Sequence, residues 1–201
     1  MRRGKIPGKT WHGRNSDVIR LLPKHLGERK NLTVVNLGPG LRFRPSGLIH
    51  PKGEKSSFRY AKKVARAVSD VVDALGRRLP FPMAAYATYE PFELCTRLSK
   101  QGAMALIVVD KVDMRAPLKR GNPGNAKIHF LQRDIGEARV SQPADVVFGV
   151  NIQGIEKFIA NNRAQLKGAV VVCNKMPKKS EESLGLRLLE ESRDRAIYKM
   201  E

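Results

Sequence analysis

The side chains best placed for chemistry in this 201-residue chain are carboxylates and amides standing where apolar runs end. Glu90 follows Met83–Thr88, Asp110 follows Met104–Val109, Asp134 follows Lys127–Gln132 and Asn151 follows Ala144–Gly149. Hydrogen-bonding groups at strand ends suit the holding of a polar ligand, because loops present them at the rim of a rigid sheet. Each has a plainer role as well. Asp110 solvates a strand end, Glu90 answers the positive end of a helix, Asp134 pairs with Arg133 or Arg139, and Asn151 forms a turn. Other chemistry is poorly supplied. Cys95 and Cys173 lack C-x-x-C spacing, and His12, His25, His50 and His129 form no ligand cluster. No metal centre is expected, and both cysteines read as core residues. The absence of Gly-x-Gly-x-x-Gly argues against a nucleotide-dependent oxidoreductase.

The elements that must position these residues follow from periodicity. Near-continuous apolar runs at Met83–Thr88, Met104–Val109, Lys127–Gln132, Ala144–Gly149 and Gly168–Cys173 predict strands covered on both faces, as in parallel sheets. Amphipathic helices are expected at Pro91–Gln101, stopped by Gly102, and at Gln153–Asn162. The links 111–126 and 133–143 are too short or too rich in Gly and Pro to promise helices. Leu184–Glu190 and Arg195–Met200, joined by a polar turn, predict an antiparallel hairpin. Five parallel-type strands and this hairpin make a seven-stranded, doubly wound α/β sheet, with Met83–Thr88 at its centre.

Upstream, residues 1–16 read as a basic arm carrying Trp11, which could stack on a base. Asp17–Leu26 is expected to be a short helix broken by Pro23. Leu32–Leu37 is a further strand candidate running into Gly38-Pro39-Gly40, and residues 56–75 form a helix with a basic stripe of Arg59, Lys62, Lys63 and Arg66. These features divide the chain into a basic extension, 1–79, and an α/β domain, 80–201. The charge divides in the same way. Residues 1–78 hold 19 lysines and arginines against five acids, whereas the rest hold 19 against 14, within a formal net charge of +19. So lopsided a charge suits a phosphate backbone, so a nucleic acid is the expected partner, with the basic stripe as its contact. The bland counterpart is a solvated, solubilising face. No apolar run reaches the roughly 18–20 residues that span a membrane. No secretory signal is recognisable, and cysteine usage fits a reducing, cytoplasmic compartment.

The strand order and its motifs resemble the class I S-adenosylmethionine-dependent methyltransferases, a Rossmann-like family whose mostly parallel sheet ends in an antiparallel hairpin. Glu90-Pro91-Phe92-x-Leu94 is similar to the Glu-Pro-Tyr-x-Leu of the chemotaxis-receptor methyltransferase branch, Gln132-Arg133-Asp134-Ile135 to the adenine-contacting position, and Ala144–Asn151 to the strand at whose end the methyl group is transferred. The resemblance implies S-adenosylmethionine as cofactor. Thr88 and Glu90 would lie in the cofactor loop, Asp110 with Lys111 at the ribose hydroxyls, Asp134 and Ile135 at the adenine, and Asn151 at the site of transfer. The segment Thr88–Glu93 holds no glycine, unlike the family's first loop. Val34-Val-Asn-Leu-Gly38-Pro-Gly40 looks like that loop taken alone, but no acid ends a strand some twenty residues later. It reads either as a turn before the basic helix or as the cofactor loop itself. Two functions follow: methyl transfer to nucleic acid, RNA in the first place, or a catalytically degenerate methyltransferase-like module for binding or assembly. No general base is needed if the acceptor is a neutral nitrogen, since positioning carries much of the rate.

Overall fold

In the computed structural model the described residues are 15–39, 41–43, 85–87, 90–98, 102, 104–115, 118, 126–192 and 194–201. Helix α1 (Ser16–Leu26) is followed by β1 (Thr33–Leu37), β2 (Leu41–Phe43) and β3 (Ala85–Ala87). Next come α2 (Glu90–Leu98), β4 (Met104–Asp110), β5 (Ala126–Gln132) and a 3-10 turn at Ile135–Glu137. The chain continues with β6 (Val146–Gly149), α3 (Ile155–Asn161), α4 (Arg163–Leu166), β7 (Val170–Asn174), α5 (Lys178–Leu184), β8 (Leu186–Ser192) and β9 (Arg195–Met200).

Seven strands form one sheet in the order β5-β4-β1-β6-β7-β9-β8. The pairings from β5 through β7 are parallel, and β9 runs antiparallel to both β7 and β8. This is the expected Rossmann-like, mostly parallel α/β sheet with a C-terminal antiparallel hairpin. Among the described residues the link between β5 and β6 holds only the 3-10 turn, as its length and composition predict.

The centre differs from expectation. Thr33–Leu37, assigned from the sequence to the basic extension, is the central strand, so the α/β unit begins well before residue 80. Of the run expected there, Ala85–Ala87 instead pairs antiparallel with Leu41–Phe43 in a separate two-stranded ribbon. The reason is side-chain bulk. A central strand must fill both layers of core, and Val34, Val35 and Leu37 do so at complete burial. The alanines of Met-Ala-Ala-Tyr-Ala-Thr are too small to fill two layers and are weak strand formers.

Alternation along the strands sorts the core into two layers. Val34, Leu106, Val108, Val146, Phe148, Val170 and Val172 face α1 and α2, packing on Ile19, Leu22, Leu94 and Leu98. Val35, Leu37, Ile107, Val109, Val147, Val171 and Tyr198 face α3, α4 and α5, packing on Phe158, Ile159, Leu166 and Leu184. Each fully buried large side chain contributes about 1.5–3 kcal/mol. Helix α1 runs through Pro23 instead of breaking there. Its apolar face gains more from the core than one missing backbone hydrogen bond costs. It is also pinned to the hairpin, with His25 Nε2 2.7 Å from Glu190 Oε2 and Arg195 Nη1 donating to Asp17 Oδ1 at 2.7 Å.

Candidate functional site at the carboxyl edge of the sheet

Parallel strands end on one edge, so β1, β4, β5, β6 and β7 deliver their following residues to a common rim. The strand order reverses direction between β1 and β6, and crevices in open α/β sheets form at such a point. Gly38 stands there, directly after β1, with φ +58°. Its N–H donates to Val109 O at 2.8 Å, so the turn is fastened to the end of β4. Side chains close over it. A Cβ on Gly38 would lie 2.8 Å from Ile152 Cγ2 and 3.0 Å from Ile135 Cδ1. Ile152 also presses on Gly149, where an added Cβ would lie 2.7 Å from its Cδ1. Glycine is therefore required at 38 for both conformation and space. Gly38 thus follows the strand that lies between β4 and β6, while Gly40 and the stretch 56–75 lie outside the described residues.

Asp110 ends β4 beside this turn, and its side chain is buried, with Oδ1 accepting from Val112 N at 2.9 Å. Lys111, the next residue, forms a 2.6 Å ion pair with Asp134 Oδ2 across the ends of β4 and β5. Asp134 Oδ1 caps the 3-10 turn by accepting from Gly136 N at 2.9 Å. The Lys111 hydrogen bond, with the Gly136 N–H behind it, holds the Asp134 carboxyl below its ordinary range, and the same contact raises the Lys111 ammonium. Both groups are solvent-facing, so the pair orients the rim more than it stabilises the fold.

Asn151 follows β6 in the left-handed region at φ +58°, a conformation asparagine tolerates better than most residues. Asn174, at the end of β7, locks it. Asn174 Oδ1 accepts from Asn151 N at 2.6 Å, and Asn174 Nδ2 donates to Asn151 Oδ1 at 3.0 Å. Asn151 is thus both the turn former and a rim residue with a fixed side chain.

Asp110, Lys111, Asp134, Ile135 and Asn151 therefore share the edge expected of them. Thr88 lies outside the described residues, as do Arg59, Lys62, Lys63 and Arg66. Glu90 does not lie in a loop after the central strand. It begins α2 and is half-buried, accepting from Asn36 Nδ2 at 2.7 Å and from Asn15 Nδ2 at 2.5 Å. The expectation failed because it rested on the wrong first strand. Sequence reasoning missed Ile152, Asn174 and Asn36. Asn36 carries one signal that could have found it, a polar residue inside an apolar run.

Among the described residues no group of three or more His, Cys, Asp or Glu could hold a metal ion, and no helix is long and apolar enough to cross a membrane. No family model and no curated protein matches the chain. Solved structures do. A ribosomal protein L11 methylase from Lactobacillus delbrueckii subsp. bulgaricus superposes with a TM-score of 0.50 at 11% identity, covering 97% of this chain and 82% of that one. The N-methyltransferase NodS from Bradyrhizobium japonicum gives 0.47 at 12% identity, over 93% and 97% of the two chains. A TehB-like S-adenosylmethionine-dependent methyltransferase from Corynebacterium glutamicum gives 0.47 at 11%, over 91% and 87%. The chain has the class I methyltransferase fold. In that methyltransferase fold, β1 of this chain is the first strand of the order and Gly38 the turn that follows it. Both stand 50 residues nearer the N-terminus than Met83–Thr88, whose expected place they take.

Proposed function

We propose that the protein binds S-adenosylmethionine at the carboxyl edge and transfers its methyl group to a nucleic acid, RNA in the first place. The observation that supports the cofactor most is the pairing of Gly38 with the end of β4. A glycine turn of positive φ stands beside a strand-end carboxylate, with Gly38 N bonded to Val109 O immediately before Asp110. The donor set fits an adenosyl group. A carboxylate accepts well from two vicinal hydroxyls, which assigns Asp110 to the ribose. Ile135 offers apolar surface to a flat ring, and Asp134 an acceptor to an exocyclic amine. Gly38, at φ +58°, turns the backbone past the end of β4, and Ile152 and Ile135, which close over it, would have to draw aside to admit the amino-acid portion. The cofactor supplies an electrophilic methyl group; Asn151, held by Asn174, would orient the acceptor atom at the rim, and Ile152 would keep water from its floor. The acceptor assignment rests on charge: a formal net of +19, concentrated in residues 1–78, favours a polyanion.

Calorimetric titration with S-adenosylhomocysteine tests the cofactor reading. The parent is expected to bind saturably, and Asp110→Ala to lose about 1–3 kcal/mol, as when hydrogen bonds to a charged acceptor are removed. Unchanged affinity in a folded Asp110→Ala protein removes the ribose assignment. No saturable binding by the parent favours the other reading, a basic binding module on a methyltransferase fold.

A further inference from the structure

Directly behind the Gly38 turn lies a buried polar cluster to which the proposed chemistry gives no task. Asn36 precedes Leu37 and Gly38 in the central strand and is completely buried. Its Nδ2 donates to Glu90 Oε1 at 2.7 Å and, more weakly, to Phe148 O of β6 at 3.3 Å. The other Glu90 oxygen meets Asn15 Nδ2, at the start of α1, at 2.5 Å. One carboxyl thus joins α1, α2 and the central strand at its exit into the turn. The amide carbonyls Asn15 Oδ1 and Asn36 Oδ1 are both buried with no hydrogen-bond partner among the described residues.

We propose that Glu90 is a positioning residue that works as the neutral, proton-bearing acid, holding Asn36 and thereby the Gly38 turn in its binding conformation. Three observations on the cluster agree. A carboxylate largely withdrawn from water needs a cation or several strong donors, and among the described residues Glu90 has the hydrogen bonds of two neutral amides. A separation of 2.5 Å falls below the N–H···O range and lies at the short end of the O–H···O range. The Asn15 amide, turned over, brings its unpartnered carbonyl to that position and accepts the Glu90 proton. The charged groups around the cluster do little to oppose this. Glu93, one turn along α2, disfavours ionisation. Arg195 of β9 favours it; its Nη1 is bound to Asp17 of α1, while its buried Nε has no hydrogen-bond partner among the described residues. β1 and β6 contribute only Asn36 and the Phe148 carbonyl. The net result is a carboxyl pushed up to about 7, chiefly by burial.

The sign of the pH effect follows. A folded-state value above the ordinary 4.5 means that the folded protein retains a proton the unfolded chain releases. Stability from this group is full below about 4.5 and falls as pH rises towards 7. Beyond that the loss is complete, and the ionised cluster loosens the turn. Binding at the turn should weaken over the same upper range.

The test uses the full chain, Glu90→Gln and Glu90→Ala, with thermal unfolding from pH 5 to 8.5 and S-adenosylhomocysteine titrations at pH 6 and 8. The binding arm rests on the cofactor reading above, whereas the unfolding arm does not. Glu90→Gln, which mimics the neutral acid, should match the parent's midpoint near pH 5 and exceed it increasingly towards pH 8. The parent should bind S-adenosylhomocysteine several-fold more weakly at pH 8 than at pH 6, Glu90→Gln equally at both, and Glu90→Ala weakly at both. A Gln variant that fails to fold, or a pH profile of unfolding shared by parent and Gln, overturns the proposal. A parent affinity that does not change with pH, beside the expected unfolding profiles, confines Glu90 to folding and overturns its positioning role. If no protein binds the probe while unfolding behaves as expected, the cofactor reading and this positioning role fail together, and the proton on Glu90 stands.

Discussion

Gly38 and Ile152 meet so closely across the boundary between β1 and β6 that a Cβ on the glycine would lie 2.8 Å from Ile152 Cγ2. The contact sets the floor of the carboxyl edge, because the same isoleucine also presses on Gly149. Ile152 belongs to the loop that carries Asn151, so one packing contact ties the glycine turn to the residue proposed to orient the acceptor.

Gly38→Ala should therefore be costly. Placing an L-residue at φ +58° costs roughly 1–2 kcal/mol, and forcing a methyl into packed atoms adds about 1–3 kcal/mol. Urea denaturation should show a loss of about 2–5 kcal/mol from these two effects. Adding Ile152→Ala should recover about 1 kcal/mol of the clash as a favourable coupling in the double-mutant cycle. A loss below about 0.5 kcal/mol, within the range of ordinary surface changes, would contradict the packing described.

Asn162 should matter as much, although it touches no proposed ligand. It is buried, its Oδ1 accepts from Val140 N at 2.8 Å, and its Nδ2 donates to Ala138 O at 3.0 Å and Phe158 O at 2.8 Å. It therefore fixes the strand-like segment that follows the Ile135 turn against α3. Asn162→Ala leaves three buried backbone groups without this partner and should cost about 3 kcal/mol in the same assay. Asn162→Asp keeps the acceptor but loses both donors, so it should not restore the parent stability. Full stability in either variant would show that water replaces the side chain readily.

The basic stripe gives a prediction about the acceptor. Replacing Lys62, Lys63 and Arg66 with Gln should weaken binding to unrelated RNAs alike. It should also flatten the log–log salt dependence by about 0.7–0.9 for each phosphate that the variant no longer neutralises. Filter binding across a salt series measures both quantities. The same affinity and slope as the parent would return this stretch to the role of a solvated face and leave the charge of residues 1–78 to act elsewhere.

Much of the architecture was legible because it is written in local periodicity. The runs 104–109, 144–149 and 168–173 hold strands because Val and Ile on both sides of a run are satisfied by two layers of core; 127–132 also holds a strand, but at the sheet's edge, half-covered instead of buried on both faces as expected. The terminal hairpin was legible from two short apolar stretches around a polar turn. The strand-end residues Asp110, Asp134 and Asn151 could be placed on one edge once those strands were parallel. What the sequence left open was which run takes the centre. That choice depends on partners far along the chain: Val34 lies between Leu106 and Val146 in register, and 47 residues separate Leu37 from β3. The long insertion also destroyed the spacing between glycine turn and strand-end acid by which such a site is usually read. The Asn15–Glu90–Asn36 cluster is beyond sequence reasoning for the same reason, as its hydrogen bonds span 75 and 54 residues. Local pattern determines which segments are strands and helices. Only the competition among those segments for two-sided burial decides which strand is central, and with it which glycine meets which carboxylate.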